Sequence, residues 1–181
     1  AAGELVHWIE VPLPGPRLPH DMAFSENFSI LNDFPMFWDP SLLKDDVHLP
    51  RFFPDLPSRF AVVPRYGRTE DMQWFEAEST YALHFTNAYE VGDEIWLEGY
   101  PQANPSPRKQ DGADFWKSFY RHIDLGAIKP RLHRWRLNLT TGEWHAEDLS
   151  DASTECGMIN GRDGGQPPRN TGPVPRAAGG A

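Results

Sequence analysis

Ala82-Leu83-His84-Phe85-Thr86-Asn87-Ala88-Tyr89 reads as a β-strand, Glu90-Val91-Gly92-Asp93 as a turn, and Glu94-Ile95-Trp96-Leu97-Glu98 as the strand that comes back. Gly and Asp stand where a tight turn needs them, and β-branched and aromatic residues flank it. Tyr81–Tyr100 is therefore the clearest hairpin of the chain. Alternate residues of a strand share a face. Ala82, His84, Thr86 and Ala88 are expected on one face, and Leu83, Phe85, Asn87 and Tyr89 on the other. Small neighbours around one imidazole leave room for a metal or ligand.

The same signals recur on both sides. Downstream, Arg131–Leu139 and Trp144–Leu149 flank Thr140-Thr141-Gly142-Glu143 as a second hairpin. Upstream, Arg59–Tyr66 is a strand closed by Gly67, and Gln73–Glu76 is a shorter one. His20–Phe24 and Asn27–Leu31 read as two short strands meeting at Ser25-Glu26-Asn27, a turn-type cluster. Leu5–Val11 is β-rich and runs into a Pro-rich loop, so a strand is expected there too. Phe34–Ser58 is expected to be a long loop with one helical turn near Ser41–Lys44. Only Ala113–Leu125 carries helical spacing, through Phe115, Trp116, Phe119, Tyr120 and Ile123. Many short strands with close turns predict an all-β fold, and repeated small antiparallel units are the mark of a propeller.

Composition bounds the rest. With 18 Pro and 15 Gly, long helices are disfavoured, while 13% aromatics supply ample core material. A net charge of −9 disfavours nucleic acid and strongly anionic membrane surfaces. The single cysteine, Cys156, excludes an internal disulfide and points to a reducing, cytoplasmic setting. No apolar run approaches the roughly 18 residues of a membrane span. The chain does not begin with Met and is expected to be an internal piece. Residues 161–181 hold Gly and Pro without any aromatic, so this tail is expected to be disordered or out of frame. The folded unit is expected over 1–160.

Chemistry has few candidate carriers. The chain lacks Gly-x-Ser-x-Gly, His-Glu-x-x-His and Cys-x-x-Cys. Among seven histidines, His84 stands out for its small neighbours, and His20 for its place after a rigid Pro-rich entry. The blander reading of His20 is a turn residue beside an Asp21 surface ion pair. His7, His133 and His145 are expected on the solvent side, His122 on an exposed helix face and His48 in a loop. If His20 and His84 share a metal, neutral imidazoles suit iron, copper, zinc or nickel alike.

His20-Asp21-Met22-Ala23-Phe24-Ser25-Glu26-Asn27-Phe28 resembles the His-Asp-x-x-x-(Ser/Thr)-Glu-Asn-(Tyr/Phe) block of the carotenoid cleavage oxygenases. Arg59–Arg65 is similar to the strand that follows it in that family. His84-Phe85-Thr86-Asn87-Ala88-Tyr89-Glu90 resembles the His-x-x-Asn-Ala-(Tyr/Trp/Phe)-Glu block. Leu132–Trp135 with Thr141-Gly142, and Glu155–Asn160, resemble two later blocks, with Cys156 where the family has an aromatic. The five blocks keep the family's order and cover Ala1 to about Arg169, closest to the lignostilbene dioxygenase and apocarotenoid oxygenase branch.

This resemblance implies a seven-bladed β-propeller, of which the chain holds a few blades. It also implies ferrous iron on four histidines. His20 and His84 match the second and third of these, and the others are expected before Ala1 and after Ala181. Glu155 matches a carboxylate that accepts a hydrogen bond from a ligand imidazole. The implied activity is oxidative cleavage, by dioxygen, of a conjugated double bond in a carotenoid, apocarotenoid or stilbene, held in an apolar tunnel. With two of four ligands, the chain alone is expected to bind iron poorly and to be inactive. The competing readings are a metal-free propeller that binds sugars or peptides, and an isomerase relative with the same iron site.

Overall fold

The computed structural model describes residues 3–48, 50–102, 105 and 128–168. In chain order, β1 (Ala23–Phe24) and β2 (Phe28–Asp33) pair across a short turn. Next come β3 (Met36–Trp38), the single-turn helix α1 (Pro40–Leu43) and β4 (Pro50–Phe52). Asp39 caps α1 through its side chain, with Pro40 in the first turn, which is why so short a helix closes there. β5 (Ser58–Pro64) is followed by a 3-10 turn at Thr69–Asp71 and by β6 (Gln73–Ala77). β7 (Tyr81–Val91), β8 (Glu94–Gln102), β9 (Arg131–Asn138) and β10 (Trp144–Ser153) complete the described strands.

These strands form two four-stranded antiparallel sheets, ordered β1-β2-β5-β6 and β10-β9-β8-β7, and a two-stranded β3-β4 pair. The expected hairpins are present. Gly92 takes φ +59° in the two-residue β7–β8 loop, and Gly142 φ +76° in the β9–β10 turn, a backbone region that suits glycine.

The core lies between the two large sheets. β5 is central and carries a continuous apolar run, with Phe60, Ala61, Val62 and Val63 all buried. β8 instead alternates. Ile95 and Leu97 enter the core, while Trp96 lies under Arg134 and Glu98 bonds Arg134 and Tyr89. Across the interface Phe60 meets Trp135 at 5.3 Å, and Phe34 meets Tyr81 at 5.8 Å. These two buried aromatic pairs supply large apolar contact area across the core.

Four expectations change. Leu5–Val11 pairs with no strand among the described residues, and Leu5, Val6 and Trp8 lie exposed; β-rich composition cannot supply a missing neighbour. Phe34–Ser58 is more than a loop, because Phe37 stacks on Phe53 and draws β3 onto β4. The first part of the Gly/Pro tail is placed rather than disordered. Asn87 Nδ2 donates to the Gln166 carbonyl, and Asn87 Oδ1 accepts from the Gly165 N–H. The fourth change concerns the faces of β7 and is taken up with the site. The helix expected at Ala113–Leu125 lies outside the described residues.

Candidate metal centre

The arrangement starts from an irregularity in β7. Its pairing with β8 slips by one residue twice, between Ala82 and Phe85 and again between Phe85 and Asn87. Each slip is a bulge, and a bulge re-aims side chains. Gly99 shows the cause. A Cβ there would stand 2.7 Å from Phe85 Cδ1, so the Phe85 ring crosses the neighbouring strand where only glycine fits. Phe85 thereby reaches the core against Phe34, Phe60 and Trp135. His84 is turned to the opposite side. The expected face of Ala82, His84, Thr86 and Ala88 is therefore broken. Ala82 and Ala88 join the core, and His84 faces outward from it.

His20 precedes β1 and is exposed. Its ring meets that of His84 edge-on, with centroids 5.3 Å apart. Asp21 makes this meeting possible. Its Oδ2 accepts from the Phe85 N–H at 2.9 Å and its Oδ1 from the Met22 N–H at 2.8 Å. Its carbonyl accepts from Asn32 Nδ2. Asp21 is thus no surface ion pair. It ties the segment of His20 to the bulge of His84.

Glu155, just beyond β10, closes the other side. Its Oε1 lies 3.2 Å from His84 Nδ1. A carboxylate on one ring nitrogen fixes the tautomer and orientation of the imidazole. Nδ1 then carries the proton, and Nε2 is left with its lone pair; among the described residues nothing bonds it. Cys156 also approaches Nδ1, with Sγ at 3.4 Å.

A second carboxylate braces the frame. Glu90 Oε1 accepts from the Ser25 hydroxyl and the Asn27 N–H, and its Oε2 from Asn27 Nδ2. Burial works against the Glu90 charge, but the bonds from Ser25 and Asn27 outweigh it and hold the pKa below its ordinary value. The turn at Ser25–Asn27 is thereby pinned to the end of β7. Beside the histidines, β1, β7 and Gly164–Gln166 enclose a polar cleft of about 540 Å³, lined by Phe24, Arg65, Thr86 and Asn87 among others. Neither His20 nor His84 lines it.

The remaining described histidines stay apart from this pair. His7 bonds the Gly67 carbonyl, and His48 sits edge-on to Trp38. His145 is exposed, as expected. His133 differs from expectation: it is half-buried, packed on Trp135 and bonded to Asp148. His122 lies outside the described residues. Sequence reasoning missed the work of Asp21 and Asn87. The one signal for Asp21 was its place directly after a candidate histidine.

The family model described as retinal pigment epithelial membrane protein matches residues 1–171. The chain belongs to that family, the carotenoid cleavage oxygenases. It is 30% identical over 154 residues to the carotenoid 9,10(9',10')-cleavage dioxygenase of Crocus sativus, covering 84% of this chain and 27% of that protein. It is 28% identical over 143 residues to the isoeugenol monooxygenase of Pseudomonas putida, covering 77% of this chain and 28% of that one. The chain thus spans about a quarter of the length of these curated relatives. Among solved structures, the lignostilbene dioxygenase of Pseudomonas brassicacearum superposes with a TM-score of 0.72 at 24% identity, covering 91% of this chain and 34% of that one. Cobalt-substituted ACO of Synechocystis gives 0.71 at 18% identity, covering 86% and 32%. These likenesses carry the all-β oxygenase fold onto this chain.

Proposed function

We propose that this carotenoid cleavage oxygenase chain supplies two ligands of a non-haem iron(II) dioxygenase, His20 and His84. The reaction is oxidative cleavage of a conjugated C=C bond in a carotenoid, apocarotenoid or stilbene-type substrate to carbonyl products. The observation that carries this reading is the convergence of His20, from the segment before β1, and His84, from β7, with Glu155 on Nδ1 of His84.

The donor set fits the metal. Neutral imidazoles suit ferrous iron, and the lone pair at His84 Nε2 is the one left free. When bound, iron supplies the means to bring dioxygen to the double bond. The chain's own residues do the rest. Glu155 holds the Nδ1 proton and the ring orientation. Asp21 and Glu90 hold the two histidine-bearing segments together. Phe85, on the core side of the bulge, keeps His84 from rotating inward.

The two four-stranded sheets are read as blades of a seven-bladed propeller. Their edge strands β1 and β7 lie side by side, as innermost strands around an axis do. The substrate is an apolar small molecule, dioxygen is the co-substrate, and nucleic acid is no partner. No helix among the described residues is long and apolar enough to cross a membrane. The single cysteine supports a reducing, cytoplasmic setting.

The test is made on the complete gene product. Iron is measured, and carbonyl products from a stilbene and an apocarotenoid are assayed under dioxygen. Loss of iron in both His20→Ala and His84→Ala, with His145→Ala unaffected, supports the reading. Stoichiometric iron in either of the first two variants overturns it, and so does cleavage without iron. Retained function in both would favour the metal-free binding module.

A further inference from the structure

His84 has a second chemical face. Its Nδ1, Glu155 Oε1 and Cys156 Sγ all lie within 4.8 Å of one another. Nδ1 is 3.2 Å from the oxygen and 3.4 Å from the sulfur. A hydrogen-bond reading gives the Nδ1 proton mainly to the Glu155 carboxylate and leaves the sulfur contact a weak one. The two separations from Nδ1 also match a different object. With zinc–nitrogen and zinc–oxygen bonds of about 2.0 Å and a zinc–sulfur bond of about 2.3 Å, tetrahedral edges are about 3.3 Å from nitrogen to oxygen and about 3.5 Å from nitrogen to sulfur.

The backbone is committed to this convergence. Cys156 has φ +60°, a conformation that non-glycine residues adopt rarely and at a cost. The next residue, Gly157, lies so close over Tyr100 that a Cβ would stand 1.8 Å from the hydroxyl. Together they aim Sγ at His84. The side chains of His84 and Glu155 are 33% and 26% exposed and Cys156 is exposed, so water can reach the fourth position.

We propose that His84 Nδ1, Glu155 and Cys156 form a separate site for a thiophilic divalent cation, zinc being the fitting ion. The site uses the ring nitrogen opposite the one assigned to iron. Binding releases the Cys156 thiol proton to solvent, and the single imidazole proton of His84 passes through solvent from Nδ1 to Nε2. Because it removes the bond that orients His84, an occupied site antagonises the iron site.

Cobalt(II) is the probe, since a thiolate ligand gives it a charge-transfer band that imidazole and carboxylate ligands do not. The 181-residue chain is titrated with cobalt(II), and zinc is then added. The expected result is a one-to-one thiolate band, displaced by zinc and lost in Cys156→Ser. Glu155→Gln, which keeps the shape of the side chain, weakens cobalt binding by about tenfold or more. His20→Ala leaves the band in place, although it abolishes iron binding in the complete gene product; failure of the iron reading is thus told apart from failure of this one. The proposal is overturned if no thiolate band forms, if the band survives His84→Ala unchanged, or if His20→Ala removes it.

Discussion

Asp21 accepts a hydrogen bond from the Phe85 backbone N–H at 2.9 Å, and so joins the segment of His20 to the strand of His84. The bond is made by the residue that follows each histidine, and so it sets the distance between them. Asp21→Ala removes an acceptor from two backbone donors, Met22 and Phe85. The expected loss is about 1–3 kcal/mol of stability, read as a lower urea midpoint with an unchanged slope. Asp21→Asn keeps one oxygen and is expected to recover part of it. An Asp21→Ala midpoint equal to the parent's would show that the bulge holds itself.

Glu90 gives the chain a sensitivity to acid. Its pKa is held below the ordinary 4.5, so its bonds to Ser25 and Asn27 contribute fully at neutral pH. A group with a depressed folded-state pKa loses that contribution as pH falls through the folded value. The parent is therefore expected to exceed Glu90→Gln in thermal midpoint at neutral pH, with the gap closing below pH 4.5. Glutamine places an NH2 against a donor of Ser25 or Asn27, which is why it is the weaker partner. The gap is roughly 1 kcal/mol or less, because the carboxylate stays in contact with water. A gap independent of pH would remove Glu90 as its source.

What could be read from the sequence follows the range of the forces involved. The hairpins at 81–100 and 131–149 were legible because turn chemistry and strand period are local. The run Arg59–Pro64 was legible for the same reason. The direction of His84 was not, because it depends on Phe85 crossing Gly99 on another strand. Leu5–Val11 has strand composition but no partner among the described residues. The placing of Gly161–Pro168 depends on Asn87, more than seventy residues upstream. His20, His84 and Glu155 were found as a set through family resemblance, and their meeting came only with the three-dimensional arrangement.

Glu155→Gln separates orientation from charge at His84. Glutamine preserves the side-chain shape but can present an NH2 to Nδ1, leaving the tautomer unspecified. In the complete gene product, iron affinity is expected to fall by about 10–100-fold. Stability should change little, because glutamine fills the same space and still offers hydrogen-bonding groups. Equilibrium dialysis against iron(II) measures the first and thermal unfolding the second. Undiminished iron affinity would mean that Glu155 does not orient His84.

Gly157→Ala tests whether the segment after β10 is held by close approach. An added Cβ would stand 1.8 Å from the Tyr100 hydroxyl, 3.0 Å from Tyr100 Cζ and 3.3 Å from Thr86 Oγ1. Tyr100 is buried, so its ring cannot swing into solvent, and the segment has to move instead. The movement carries Cys156 and Glu155 away from His84. Overpacking of this kind costs about 1–3 kcal/mol. The Tyr100 hydroxyl bonds nothing among the described residues, so Tyr100→Phe alone should cost little. Combined with Gly157→Ala it removes the 1.8 Å clash but leaves the 3.0 Å contact, so rescue is expected to be partial. The measurement is a double-mutant cycle in urea, with the histidine NMR signal of His84 as a second readout. A positive coupling together with partial return of that signal places the clash at Tyr100. Additive costs would place it elsewhere, and the segment would then be free to move without disturbing His84.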